Sequence, residues 1–213
     1  MSLRTSPQTG VAIRFLFGCT KRYTHMNKFM EHWFTSALIC IWLIVCVIQQ
    51  KLDLVPKFAN KGFDVIGNEY FRIGTALLLH SNLLHMAANA AALYFVGKYL
   101  EPQIAPAKLF IFSVLSGVIT EFIFSVIYRN SVSFGGSPIV YALIGLIAAL
   151  QIMKADVFSF KLGNWTCNWI TAYLLFSNIP LFSNNYASTL LIHGLPFGIG
   201  ILFGCIGTVL NLL

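Results

Sequence analysis

Long stretches without charged residues divide this sequence and limit what it can fold into. Asp, Glu, Lys and Arg are absent from 32–50, 73–97, 130–153 and 162–213, and 109–128 contains a single acid, Glu121. A soluble domain carries about 25% charged residues, whereas this chain is 10% charged and 57% hydrophobic. Because a helix needs about 20 mostly apolar residues to cross the ~30 Å hydrocarbon core of a bilayer, the sequence predicts a polytopic membrane protein.

The apolar stretches predict six membrane-spanning helices. The last stretch is too long for one helix, and its polar segment 182–188 divides it into two. The predicted spans are 33–50, 79–99, 107–128, 137–153, 165–181 and 188–210. Transmembrane strands would need segments of about ten residues with alternating hydrophobicity, which this sequence lacks. The predicted fold class is therefore an all-α membrane protein with a bundle of six helices.

The positive charges predict how these spans are oriented. With the N-terminus in the cytoplasm, nine of the fourteen Lys and Arg residues lie on the cytoplasmic side. Residues 1–30 are then a cytoplasmic segment, 31–213 form the membrane domain, and 51–78 are an external loop. The basic residues are scattered rather than gathered in one patch, so nucleic acid is not an expected partner. The compact form with six spans favours a bacterial cytoplasmic membrane as the location, with an organelle membrane as the alternative.

Polar residues in three of the predicted spans lie at a similar depth. The second span has His80, His85 and Asn89, the fourth begins at Ser137, and the sixth has His193 about five residues from its external end. At 1.5 Å per residue, all lie within about 15 Å of the outer boundary, so one cavity is expected to hold them. His85 and Asn89 are four residues apart and therefore share a helix face. His80 is expected to stabilise the start of its span.

These residue types suit acyl-transfer chemistry. A Ser at a helix start and a His on an adjacent helix are the minimum for a nucleophile and its general base. The spans that carry these residues contain no carboxylate to orient the His, so the sequence predicts a Ser137/His193 dyad. His85 and Asn89 are the natural side-chain donors to a developing oxyanion, and the alternative is a purely structural pair between helices.

Metal binding and transport are weaker interpretations of the same residues. The histidines lack a His-Glu-x-x-His motif and a nearby carboxylate, so no metal and no cofactor is expected. A transporter is disfavoured because the chain is short and shows no duplicated half. The one acid within a span, Glu121, is expected to bond to a neighbouring helix rather than carry a translocated proton.

Three separated motifs carry a resemblance to a known family. They are His80-Ser-Asn-Leu-Leu-His85-Met-Ala-Ala-Asn89 followed by Gly97 and Glu101, Phe134-Gly-Gly-Ser137-Pro-Ile-Val-Tyr141-Ala-Leu-Ile-Gly145, and His193 followed by Gly200. In order and spacing they resemble the rhomboid intramembrane serine proteases across essentially the whole chain. Phe71-Arg72 also resembles the aromatic-arginine pair of the family's external loop.

The resemblance implies a role for each matching residue. It implies that Ser137 is the nucleophile and that His193 is the general base and then the general acid. His85 and Asn89 would line the oxyanion site. Tyr141 would pack its ring beside the catalytic His, with Gly135 and Gly200 in supporting positions. The implied substrates are transmembrane segments with helix-breaking residues, cut near their external end.

The sequence departs from the family pattern at two glycine positions. Pro138 follows the nucleophile, where its missing N–H is not needed in the first turn of a helix. Pro196 is expected near the external start of the last span, where it is similarly tolerable. Bulk at former glycine contacts is expected to push the fourth and sixth spans apart. These prolines motivate an alternative function, a rhomboid-like pseudoprotease that binds transmembrane segments without cutting them.

Overall fold

The computed structural model describes residues 33–153, 159–179, 186–210 and 212–213. The predicted cytoplasmic segment 1–30 lies outside the described residues. Within them the chain is helical, and two extended residues pair as a bridge, Asn60 with Ser133. The helices are α1 (Trp33–Gln49), α2 (Val55–Phe58), α3 (Phe63–Ile66), α4 (Phe71–Thr75), a 3₁₀ turn (Ala76–Leu78), α5 (Leu83–Leu100), α6 (Pro106–Ile127), α7 (Ser137–Met153), α8 (Trp165–Phe176) and α9 (Tyr186–Val209).

The longer helices coincide with the stretches that the sequence marks as apolar. By length and composition, α6 and α9 are able to cross a membrane, and α1 and α7 are shorter apolar helices. Many large apolar side chains on α1, α6 and α9 point outward; Val47, for example, is 62% exposed. An outer surface of this kind suits contact with lipid rather than water. The predicted all-helical fold class is confirmed.

Two helix ends differ from the prediction because side chains cap them. The span predicted from residue 79 begins as a helix only at Leu83, since the Asn82 side chain accepts a hydrogen bond from the His85 N–H at 2.8 Å. His80 therefore lies before the helix. The span predicted to run to residue 181 ends at Phe176. There, Asn178 Nδ2 donates to the carbonyl of Leu174 at 2.7 Å, and the Ser177 hydroxyl donates to the carbonyl of Tyr173.

Helix α7 is buried along nearly its whole length and packs most closely against α9. Glycines allow this approach. A Cβ atom added at Gly145 would collide with the carbonyl oxygen of Phe197, and one at Gly200 would collide with that of Ala142. A Cβ atom at Gly204 would meet the side chain of Ala149. The expected separation of the two spans is therefore absent, and their backbones touch.

The two prolines occupy different helical positions. Pro138 is the second residue of α7, as expected for a residue without an N–H. Pro196 was expected near the start of its span, but it lies inside α9, which begins at Tyr186. It has no N–H to offer the carbonyl of Ile192 one turn earlier. Our expectation for Pro196 was wrong, because even in a span that begins at residue 188 this proline lies beyond the second turn, where the helix needs its N–H.

A buried polar cluster fixes the segment that leads into α7. Glu121 of α6 accepts hydrogen bonds from Asn60 Nδ2 at 2.7 Å and from the Ser133 hydroxyl at 2.9 Å. Asn60 also accepts from Ser125 at 2.8 Å. Glu121 was predicted to bond to a neighbouring helix. Its partners instead lie in connecting segments: Asn60 in the 51–78 segment, and Ser133 between α6 and α7. The carboxyl thereby ties the 51–78 segment to the strand-like residues just before Ser137.

Candidate active site

One cavity of about 500 Å³ is lined by four of the five polar residues that the sequence placed at one depth. Ser137 of α7, His193 of α9, and His85 and Asn89 of α5 all contribute to its lining. Helix α8 closes a further side with aromatic and small polar residues. Most of the lining is apolar. The cavity therefore presents a few polar groups to a largely apolar space, which is the usual composition of a site that orients one bond of a bound molecule.

Ser137 is held at the N-terminus of α7 by the two glycines before it. Gly135 has φ +147°, a conformation that L side chains rarely adopt, and its N–H donates to the Ala76 carbonyl at 2.9 Å. A Cβ atom at Gly135 would also approach the His85 ring to 3.2 Å. The first N–H groups of a helix point away from it without intrahelical partners. Ser137 thus combines its hydroxyl with a helix end that favours negative charge.

His193 lies in α9 with its ring stacked on a tyrosine. The centroids of the Tyr141 and His193 rings are 4.3 Å apart, and the ring planes differ by 10°. The side chain is 8% exposed. Its Nδ1 atom is 3.0 Å from Oδ1 of Asn178, just beyond the end of α8. The imidazole is therefore fixed in plane by Tyr141 and in rotation by Asn178.

Asn89 presents an unpaired donor. Its Oδ1 accepts a hydrogen bond from the Tyr173 hydroxyl at 2.7 Å. Its Nδ2 is buried and has no hydrogen-bond partner among the described residues. A buried amide nitrogen without a partner is costly, and such a group is typical of a site awaiting a ligand or transition state. With Oδ1 bonded to Tyr173, Nδ2 is the end of the amide that remains available.

The two other histidines, His85 and His80, lie in different surroundings. His85 lines the cavity, and its Nδ1 lies 3.1 Å from the Ser81 hydroxyl. His80 is not among the cavity residues; it is 1% exposed and packs against Trp42, with ring centroids 5.2 Å apart. Its Nε2 accepts from the Gly136 N–H at 3.4 Å. His80 therefore supports the segment before Ser137 from behind.

Sequence reasoning missed the contribution of α8. Tyr173, Ser177 and Asn178 reach the same polar groups, but none belongs to the motifs that identified the other helices. The only available signal was the pair Ser177-Asn178, two polar residues closing an apolar stretch. That pattern alone is indistinguishable from an ordinary helix end.

Comparison with known proteins agrees with this geometry. The family model described as Rhomboid domain matches residues 67–209. The chain belongs to the rhomboid family. The matched range contains the cavity residues of α5, α7, α8 and α9, and family members are integral membrane proteins.

Similar rhomboid proteins include both a protease and an inactive relative. The chain is 28% identical over 116 residues to "Inactive RHOMBOID-like protein 8" of Arabidopsis thaliana, covering 51% of the chain and 33% of that protein. It is 23% identical over 129 residues to "Rhomboid-like protease 3" of Toxoplasma gondii, covering 55% and 46%. It is 30% identical over 102 residues to "RHOMBOID-like protein 6, mitochondrial" of Arabidopsis thaliana, covering 48% and 30%. The chain thus matches less than half the length of each relative.

Proposed function

We propose that this rhomboid is an intramembrane serine endopeptidase that cuts transmembrane segments of other proteins. The observation that carries the proposal is the meeting of Ser137 and His193 in one cavity beside the unpaired Nδ2 of Asn89. A nucleophile, a general base and a donor for an oxyanion are the parts that amide hydrolysis requires.

The reaction follows from these positions. The Ser137 hydroxyl attacks the scissile carbonyl while His193 takes its proton, and His193 then returns the proton to the leaving amine. The Asn89 amide, the His85 ring and the N–H at the start of α7 stabilise the negative oxygen of the tetrahedral intermediate. Water then attacks the acyl-enzyme while His193 takes its proton, and His193 returns that proton to the Ser137 oxygen as the acid product leaves. No cofactor takes part in this scheme.

The apolar lining supports a membrane-embedded substrate. Phe95 of α5 stacks on Trp169 of α8 with centroids 5.5 Å apart, and both line the cavity. An extended segment with small or helix-breaking residues would fit best, because a helical peptide bond is shielded by its own backbone. The proposal includes six spans, a cytoplasmic N-terminus, cleavage near the external end, and a bacterial cytoplasmic or organelle membrane as the location.

The test is cleavage of a reporter transmembrane substrate by purified protein in liposomes. The parent is compared with Ser137→Ala and His193→Ala, and Ser116→Ala is the matched control. Ser116 donates to the Phe112 carbonyl within α6 and does not line the cavity. The parent and S116A should cleave, whereas S137A and H193A should lose about 10⁴-fold or more in rate. Equal cleavage by the parent and S137A would refute the proposal.

A second candidate is a pseudoprotease that binds transmembrane segments without cutting them. Pro196, inside α9 and one turn from His193, favours it, because a proline inside a helix removes a backbone bond and tends to bend the axis. Pro138→Gly and Pro196→Gly separate the two candidates. Substantial cleavage by the parent that neither variant increases would dismiss the view that the prolines disable the site. Turnover only in the variants would establish it.

A further inference from the structure

We propose that Asn178 is a positioning residue that holds His193 with its proton on Nδ1, so that Nε2 is the basic nitrogen offered to Ser137. The inference rests on the proposed function and adds a third member to the predicted dyad. Asn178 follows the last turn of α8 and belongs to none of the motifs in α5, α7 and α9.

The orientation of the Asn178 amide is decided by the carbonyl of Leu174. A carbonyl oxygen only accepts hydrogen bonds, so the amide atom 2.7 Å from it must be Nδ2. The same Nδ2 donates to the Tyr141 hydroxyl, also at 2.7 Å. Oδ1 is then the atom that faces His193, and turning the amide over would put two oxygens against each other at Leu174.

This orientation determines the protonation of the imidazole. Oδ1 can only accept, and Nδ1 of His193 is 3.0 Å from it, so Nδ1 must carry the hydrogen. A neutral imidazole has one N–H, which leaves the lone pair on Nε2. In the other tautomer, two lone pairs would face each other and Nε2 would have no basic site. Asn178 therefore selects the form of His193 that accepts the proton of Ser137.

The hydrogen bonds around Asn178 run in one direction. Ser177 donates its one hydroxyl proton to the Tyr173 carbonyl, so Tyr141 must be the donor in its 2.6 Å bond to Ser177 Oγ. The Tyr141 hydroxyl in turn accepts from Asn178. Every donor in this chain is used, and the chain ends on a backbone carbonyl. A reversal at Asn178 would break several bonds at once, which stabilises a single orientation.

The bond also persists through the reaction. When His193 accepts the proton of Ser137, Nδ1 keeps its hydrogen and its bond to Oδ1, so the amide dipole faces the positive ring. A neutral amide stabilises the cation less than a carboxylate would, but it avoids placing a second charge in an apolar cavity. An asparagine holds the histidine in the same sense in papain-like cysteine proteases.

The experiment uses Asn178→Leu, which removes the acceptor at similar volume. Asn168→Leu is the matched control, since Asn168 lies in α8, the helix that Asn178 follows, and its Oδ1 accepts from the Gly163 N–H at 2.8 Å. Cleavage of the liposome reporter should show kcat about 10- to 100-fold lower in N178L with KM little changed. N168L should match the parent. Parent-like kcat in N178L, or an equal loss in N168L, would overturn the role.

A second readout does not depend on cleavage. ¹⁵N NMR of histidine-labelled protein, with the His193 signals assigned by their loss in His193→Ala, reports which ring nitrogen carries hydrogen. The parent should show Nδ1–H, and N178L should lose that preference. An Nε2–H form in the parent contradicts the inference even if the enzyme is active. If the parent cleaves no substrate, the proposed function fails while the spectrum still decides the role of Asn178.

Discussion

The α7–α9 pair and helix α8 contribute to the same cavity by opposite means. Between α7 and α9 the backbones touch at Gly145 and Gly200, and most of α7 is buried. Helix α8 has twelve residues, of which Cys167 and Ile170 are fully buried, and it reaches the site through side-chain hydrogen bonds. One region sets positions by close packing, whereas the other sets orientations by directional bonds.

The difference suggests a division of labour in the proposed enzyme. Where the two backbones are in contact, there is no space for even a single methyl group. Helices α7 and α9, which carry Ser137 and His193, are therefore held at a fixed separation. Hydrogen bonds from a peripheral helix adjust a ring or an amide without moving the backbone. Changes in the α7–α9 pair should therefore damage both stability and activity, and changes in α8 should damage activity alone.

Among the variants that test this comparison, the largest effect is expected from Gly200→Ala. The new Cβ would collide with the Ala142 carbonyl, so we expect the free energy of unfolding to fall by about 1–3 kcal/mol. Cleavage should fall about 100-fold as α7 and α9 separate. Gly198→Ala is the matched control on the same helix, because no other atom lies within 4 Å of its added Cβ. Equal behaviour of the two variants in thermal unfolding and reporter cleavage would break the comparison.

Tyr173→Phe should have a smaller effect that is confined to activity. Without the hydroxyl, the Asn89 amide is free to turn and its donor leaves the oxyanion position. We expect kcat to fall about tenfold, less than the roughly 100-fold or more that loss of an oxyanion donor costs. Tyr99→Phe is the control, since the Tyr99 hydroxyl has no partner among the described residues. A lowered melting temperature in Y173F would argue for a structural role instead.

Tyr141→Phe tests the link between the two regions. The ring of Tyr141 remains stacked on His193 in this variant, but its bonds to Ser177 and Asn178 are lost. Because Asn178 keeps its bond to Leu174, kcat should fall only about threefold, which corresponds to the lower range of a single hydrogen bond. Tyr141→Leu, which also loses the stacking, should be clearly slower. Similar rates for Y141F and Y141L would mean that the ring contributes little.

The smallest effect is expected from Ser177→Ala. Ser177 ends this series of hydrogen bonds on the Tyr173 carbonyl, and its hydroxyl is linked to His193 through Tyr141 and Asn178. We expect about a twofold fall in kcat. Thr171→Ala removes a comparable bond, from the Thr171 hydroxyl to the Cys167 carbonyl at 2.9 Å, and should leave kcat unchanged. A tenfold loss of kcat in S177A would instead mean that the hydrogen bonds through Ser177 matter as much as Asn178 itself.

Prediction from sequence succeeded where a residue acts through its own helix. The all-helical class follows from hydropathy, and the i, i+4 spacing of His85 and Asn89 is enough to put both on one face. The start of α7 at Ser137 matches the predicted boundary, because glycines precede it and an apolar run follows. The partners of Glu121 were mistaken because they depend on how the connecting segments fold against α6. The expectation for Pro196 failed because the residue lies too far from the start of α9.

The sequence by itself determined the apolar helices, the family and the side chains available for chemistry, since these depend on residue types and their spacing. The tertiary structure alone decided how those side chains are oriented. The approach of Asn178 to His193, and of Tyr173 to Asn89, joins residues 15 and 84 positions apart. The strength of a hydrogen bond depends on its angle and on donor–acceptor distances of a few tenths of an ångström. No local sequence pattern encodes the packing that brings two distant helices to that precision.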